Sequence, residues 1–205
     1  EAHRNQVLPM SDSPLDSFFA GGAPDPTAGR KEFVYGGDTV RIPPPFAPQV
    51  LGRAHRIEAA IRRSDAGNAG VIVAFGGSEG GYSLYVQDNR LVYELNVSGV
   101  VREKLVSTMS LPVGASKVAF EFQPDASAPR HPMMKYFVCP GVGRLFIDGK
   151  TAGELRFERF GGFGHPTIHT ETLDVSRDLG SPAGAGYRAP YSFAGKVDEV
   201  RFTVQ

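Results

Sequence analysis

The feature that most constrains this chain is an apolar alternation of period two, which recurs between turn residues from Lys31 to Val204. Ile57, Ala59 and Ile61 alternate with Arg56, Glu58 and Ala60, and Val71, Val73 and Phe75 repeat the pattern. Tyr82, Leu84 and Val86 follow, and Asp88-Asn89 supplies a two-residue hairpin turn into Leu91, Tyr93 and Leu95. Val118, Phe120 and Phe122 form another row, and Leu145 and Ile147 lead to Asp148-Gly149, a strong hairpin dipeptide. Leu155 with Phe157, Leu173 with Val175, and Val200, Phe202 and Val204 complete the set. Successive side chains of a strand face opposite sides, so each segment carries one apolar face that must be covered. No segment sustains a capped amphipathic helical period. About a dozen short strands of this kind predict an all-β fold, two packed sheets closed as a jelly-roll β-sandwich.

The alternation begins at Lys31, and what precedes it reads differently. Val7-Leu8 ends a helix-like stretch that Pro9 stops, and Gly21, Gly22, Pro24, Pro26 and Gly29 keep the chain irregular. Residues 1–30 are therefore expected to be a linker and residues 31–205 the sandwich domain. Val7, Leu8, Phe18 and Phe19 need an apolar surface and are the candidate inter-domain contacts. The chain opens at Glu1 without a signal-peptide pattern, which suggests an excised piece or one whose preceding part was removed.

Length and charge narrow the classes of function. A chain of 205 residues suits one large all-β domain or two small ones and can bury a sizeable core without staples. Lysine plus arginine equals aspartate plus glutamate at 22 each, so no global field draws it to nucleic acid or an anionic membrane. No apolar run approaches the roughly 20 residues of a membrane-spanning helix. Cys139 is the only cysteine, which excludes an intrachain disulfide and a cysteine framework for zinc. Cys139 follows a mostly apolar run, so an inert, buried thiol is expected.

The most specific wording lies near the end: Leu173-Asp174-Val175-Ser176-Arg177-Asp178-Leu179-Gly180-Ser181-Pro182, then Tyr187, Pro190 and Phe193-Ala194-Gly195-Lys196-Val197. It reads as a loop at the rim of a sheet followed by a last strand. Together with Gly80-Gly81-Tyr82-Ser83-Leu84-Tyr85-Val86 and Leu145-Phe146-Ile147-Asp148-Gly149-Lys150, it resembles the C-terminal domain of bacterial arylsulfatases, members of the sulfatase family. Two places depart from that pattern: Tyr82, where tryptophan is expected, and the altered stretch from Pro129 to Gly141. The resemblance implies a parent enzyme that hydrolyses sulfate esters, in a bacterial periplasm or cytoplasm. It further implies a calcium ion and a formylglycine made within Cys/Ser-x-Pro-x-Arg, both held by a catalytic domain of the same polypeptide. Neither Cys139-Pro140-Gly141-Val142-Gly143-Arg144 nor Ser127-Ala128-Pro129-Arg130 has that spacing. No catalysis and no cofactor are therefore expected of this chain itself; its implied role is to stabilise the catalytic domain or shape access to it.

Other constellations were weighed on their chemistry. His165 and His169 are four apart, but Gly161, Gly162, Gly164 and Pro166 preclude the helix that would align them on a metal. Asp174 and Asp178 flank a turn and are weak calcium candidates, since calcium takes roughly six to eight oxygens and only two carboxylates are in view. The alternative is that Asp178 caps the loop's own amides while Arg177 forms a surface ion pair. Gly76-Gly77-Ser78-Glu79-Gly80-Gly81 lies between two strands and reads as a hairpin connection, not a phosphate cradle. Tyr85 alternates with Leu84 and so points away from the core row. With Tyr187 and Tyr191 it forms the candidate aromatic surface for a possible glycan partner. The second functional reading is thus a carbohydrate-binding module of the laminin-G/concanavalin-like kind.

Overall fold

The computed structural model describes residues 26–126, 139–159 and 171–205. Val7, Leu8, Phe18, Phe19, His165 and His169 lie outside them, as does most of the linker. Eleven strands follow in chain order: β1 (Glu32–Gly36), β2 (His55–Arg63), β3 (Gly70–Gly77), β4 (Gly80–Gln87), β5 (Arg90–Val97), β6 (Val101–Val106), β7 (Gly114–Pro124), β8 (Gly141–Ile147), β9 (Lys150–Phe157), β10 (Leu173–Val175) and β11 (Lys196–Val204). One 3-10 turn, Pro44–Phe46, is the only helical element among the described residues. The strands build a six-stranded sheet in the order β1-β11-β2-β7-β8-β9 and a five-stranded sheet in the order β10-β3-β4-β5-β6. All neighbours within the two sheets are antiparallel.

The fold is a two-sheet jelly-roll β-sandwich, as the alternation predicts. Asp88 and Asn89 both take positive φ, as does Asp148 with Gly149, the twist that closes β4–β5 and β8–β9 with two-residue turns. The inward rows meet between the sheets. Tyr93 from β5 stacks on Phe120 from β7 at 3.5 Å between ring centres, and Phe157 meets both edge-on. Ile57, Ile61, Leu84, Leu95, Phe122, Leu145, Val200 and Phe202 are closed off from solvent around them. Each such side chain contributes roughly 1.5–3 kcal/mol by leaving water, which explains why a chain without disulfides holds two sheets together.

One row departs from the expected alternation. Val71, Val73 and Phe75 do not share a face, because a bulge between Val71 and Val73 inserts an extra residue into β3. Ile72, Val73 and Phe75 enter the main core, whereas Val71 turns to the outer face of the five-stranded sheet with Ala74, Tyr85 and Val92. A bulge shifts the two-residue period by one and so exchanges faces. That outer face is apolar and needs its own cover.

Both sides of the sandwich are stitched. Ile42 and Leu173 exchange backbone hydrogen bonds of 3.0 and 2.9 Å between the β1 side of one sheet and β10 of the other. On the opposite side the Thr108 N–H donates to Ala152 O at 2.6 Å.

Candidate functional site

The cover for the outer face is the segment between β10 and β11. Ser176 takes a positive φ of 62° and turns the chain out of β10; its N–H donates to Ile72 O and its carbonyl accepts from Phe193 N, each at 2.9 Å. Residues 177–191 then run as a strap across β3, β4 and β5. Where the strap returns, Gly70 is required: a Cβ there would collide with the backbone of Ser192 and Phe193.

Three carboxylates pin the strap. Glu171 accepts from the Ser181 N–H at 2.8 Å and from the Ser181 hydroxyl, and that hydroxyl oxygen accepts from the Ser78 N–H at 2.7 Å. Buried Asp178 accepts from the Tyr187 hydroxyl at 2.6 Å and from the Ala183 N–H at 3.2 Å. Glu94, on β5, accepts from the Tyr85 hydroxyl at 2.9 Å and from the Ala185 N–H at 2.6 Å. The Tyr85 and Tyr187 rings meet edge-on at 5.1 Å, and Tyr191 stacks on Tyr187 at 5.1 Å. Gly186 lies so close over the sheet that a Cβ would strike the Tyr85 hydroxyl and stand 3.1 Å from both Gln87 Oε1 and Lys104 Nζ. Burial raises the Asp178 carboxyl above its ordinary value, although the Tyr187 and Ala183 donors pull it back. Burial also raises the phenols of Tyr85 and Tyr187, with the Glu94 and Asp178 charges respectively adding to it.

This arrangement corrects the aromatic-surface expectation. Tyr85 does point away from the main core, but it is fully buried, and Tyr187 is 8% exposed. The strap lies over them, and their hydroxyls are engaged by carboxylates. Only Tyr191 remains half-buried, as one partner of a stack. Tyr85 and Tyr187 are structural and offer no ring face as a sugar platform. Asp174 and Asp178 are likewise committed: Asp174 accepts from the Arg41 N–H at 2.6 Å and the Thr172 hydroxyl at 3.4 Å. Among the described residues no three His, Cys, Asp or Glu side chains gather into a metal cage. Asp178 does cap an amide of its own loop, that of Ala183. Among the described residues Arg177 forms no surface ion pair.

Where the strap leaves and rejoins the sheets, an open cleft of about 550 Å³ remains at the rim. Three segments distant in sequence line it: Gly36-Gly37-Asp38 after β1, Ser176-Arg177 after β10, and Ser192 to Asp198 leading into β11. Gly37 lets the first segment approach the third, since a Cβ would collide with the Val197 backbone. A bulge between Val197 and Glu199 re-aims Asp198 outward, where it accepts from Arg62 Nε at 2.8 Å and pairs with Lys196 Nζ at 3.1 Å. Those two donors, Arg62 first, hold its carboxyl below the usual range. Phe193 and Val197 are buried, Asp38 is exposed, and Arg177 is half-buried. Arg177 Nε is shut off from solvent and has no hydrogen-bond partner among the described residues. The cleft thus combines an apolar floor, two hydroxyls, two carboxylates and two cations, within the size range of small-ligand sites. Sequence reasoning did not single out Asp38 or Lys196, because the cleft exists only once three remote segments meet. The glycines at 36, 37 and 195 are the one local signal of close approach there.

No protein-family model matches this chain, and no curated protein does. Solved structures do. The CBM40 of the Ruminococcus gnavus IT-sialidase, solved bound to α2,3-sialyllactose, superposes with a TM-score of 0.53 at 14% identity, covering 85% of this chain and 89% of that one. The leech intramolecular trans-sialidase, complexed with 2,7-anhydro-Neu5Ac, gives 0.53 at 12% identity over 84% of this chain. The K499G mutant of NanB sialidase from Streptococcus pneumoniae gives 0.54 at 9% identity over 83%. The chain spans 26% of each of those two sialidases. At such identities the likeness is one of fold: this is a jelly-roll β-sandwich of the architecture found in CBM40 modules.

Proposed function

We propose that this chain is a carbohydrate-binding β-sandwich module without catalysis of its own, and that its site is the rim cleft. The observation that carries this reading is the cleft itself, an open space of about 550 Å³ lined by hydroxyl, carboxylate and cationic groups above buried Phe193 and Val197. Saccharides present many hydroxyls that both donate and accept, and a mixed lining answers both needs. The CBM40 fold, seen with sialyllactose bound, supports the class of ligand. Isothermal titration or a glycan array with neutral and acidic saccharides tests it. A saturable signal is expected, and it should vanish in Ser192→Trp, where an exposed lining residue becomes large enough to fill the cleft. Silence across the array, or binding untouched by Ser192→Trp, refutes the proposal.

A second reading concerns the protein of which this module forms part. The most specific of the residues that resemble arylsulfatase C-terminal domains, from Asp174 to Pro182 with Tyr187 and Pro190, lie on β10 and the strap. Together with residues 80–86 on β4 and 145–150 at the β8–β9 hairpin, that resemblance supports an accessory role beside a sulfatase catalytic domain of the same polypeptide. Sequencing the frame upstream of the Glu1 codon decides this reading. A Cys/Ser-x-Pro-x-Arg motif there supports it, and a complete frame lacking one removes it. Aryl sulfate turnover by the chain alone is expected to be nil.

A further inference from the structure

We infer that the rim cleft selects saccharides bearing an oxyanion substituent, a carboxylate or a sulfate ester, and that the Arg177 guanidinium is the group that reads it. The inference rests on the carbohydrate-binding reading above and adds its ligand class. Its basis is an imbalance among the charges of the cleft. Asp198 is matched by Arg62 and Lys196, so its charge and that of Lys196 are already used within the protein. Arg177 has no ion pair among the described residues, and its Nε lies buried without a partner. Asp38, the other carboxylate of the lining, is exposed and forms no ion pair with Arg177.

A guanidinium is always charged, and the half-buried Arg177, lining the cleft with no ion pair among the described residues, leaves that charge for a ligand to match. Its planar fork matches the paired oxygens of a carboxylate or sulfate and adds direction to the attraction. The surroundings favour such a ligand further. Ser176 precedes Arg177 and, with Ser192, offers hydroxyls to the sugar ring, whereas Asp38 at the exposed side can accept from sugar hydroxyls but repels a second anion. The cleft therefore suits one acidic substituent at Arg177 and a neutral, hydroxyl-rich ring beside Asp38. A polyanion with charge at every sugar fits less well.

Three ligands with one neutral core separate the possibilities: lactose, 3′-sialyllactose and lactose 3′-sulfate, titrated calorimetrically into the full chain. At least one acidic ligand is expected to bind about tenfold or more tighter than lactose, the range of a charge-assisted hydrogen-bonded pair. Which of the two wins assigns the oxyanion as carboxylate or sulfate. Arg177→Gln should reduce that preference to near unity. Arg177→Lys, which keeps the charge and loses the fork, should retain only part of it. Equal binding of all three ligands overturns the inference and leaves the carbohydrate-binding reading standing. An acidic preference that survives in Arg177→Gln overturns the assignment to Arg177. Absence of binding by any of them, with Ser192→Trp equally silent, removes the underlying reading as well. Thermal melting of each variant shows that the fold is intact.

Discussion

Replacing Tyr187 by phenylalanine isolates one bond in the strap. The ring remains, so its edge-on contact with Tyr85 and its stack with Tyr191 persist, while the 2.6 Å bond to Asp178 disappears. Asp178 is 2% exposed and keeps only the Ala183 N–H, at 3.2 Å. A hydrogen bond to a charged group contributes roughly 1.5–3 kcal/mol, so Tyr187→Phe should cost about 2 kcal/mol at pH 7. For a domain of this length that lowers Tm by about 4–8 °C. The loss has a pH signature. Burial already raises the Asp178 carboxyl in the native state, and Tyr187 opposes that rise. Below the ordinary carboxylate value of 3.8 neither folded nor unfolded chain carries this charge, and the carboxylate's share of the cost vanishes. As pH rises from there, the unfolded chain releases its proton first and stability declines until the raised native value is passed. Removing Tyr187's hydroxyl pushes that native value higher and widens the window. Urea melts of both proteins by circular dichroism, at pH 7 and pH 3.5, measure the difference. A destabilisation below about 0.5 kcal/mol at pH 7, or one equally large at both pH values, refutes the argument that a buried charge is being satisfied.

Three further outcomes follow from the same geometry. His55 is buried between Phe120 and Phe122, and burial lowers its imidazole to about 4, so the unfolded chain takes up the proton first as pH falls below 6.5. Stability should decline by about 3 kcal/mol between pH 6.5 and 4, and a His55→Leu chain should lack that slope in urea melts taken across the window. Gly186→Ala forces a methyl group into the Tyr85 hydroxyl and should lift the strap, costing about 1–3 kcal/mol; an unchanged melt would show that the strap has slack. Arg177→Gln breaks no ion pair and should stay within about 0.5 kcal/mol of the parent in stability, so calorimetry that shows a larger loss would expose a structural duty for Arg177.

The architecture was legible in the sequence where period and turn chemistry act locally. Asp88-Asn89 and Asp148-Gly149 close their hairpins as their backbone preferences require, and Ile57-Ala59-Ile61 and Val118-Phe120-Phe122, on paired strands, share the inward face of the six-stranded sheet as alternation demands. Val71 was misplaced because a bulge is a property of two paired strands, and nothing in one strand announces an extra residue. Tyr85 was rightly assigned to the outer face, but alternation tells which side a residue faces and not what lies above it. The strap that covers it comes from residues roughly a hundred positions later, joined through Glu94 and Asp178, whose buried carboxylates read as ordinary surface charges in sequence. Arg177 stands in the most specific stretch of the sequence, yet that no described residue pairs with it is a tertiary fact. The cleft around it is assembled by the meeting of β1's end with the start of β11, which no local pattern encodes.

The place of β11 in its sheet bears on how the module is made in the cell. Lys196–Val204 is the last in chain order of the strands described, yet it lies between β1 and β2, and β1 has no other strand neighbour among the described residues. Glu32–Gly36 is therefore synthesised more than 150 residues before its register with Glu199–Thr203 can be set. A chain cut short before Lys196 has β1 unpaired and the edge of β2 open, a substrate for proteases and chaperones. The cleft therefore forms only once β11 is seated between its two neighbours, because its third wall is the beginning of that same strand.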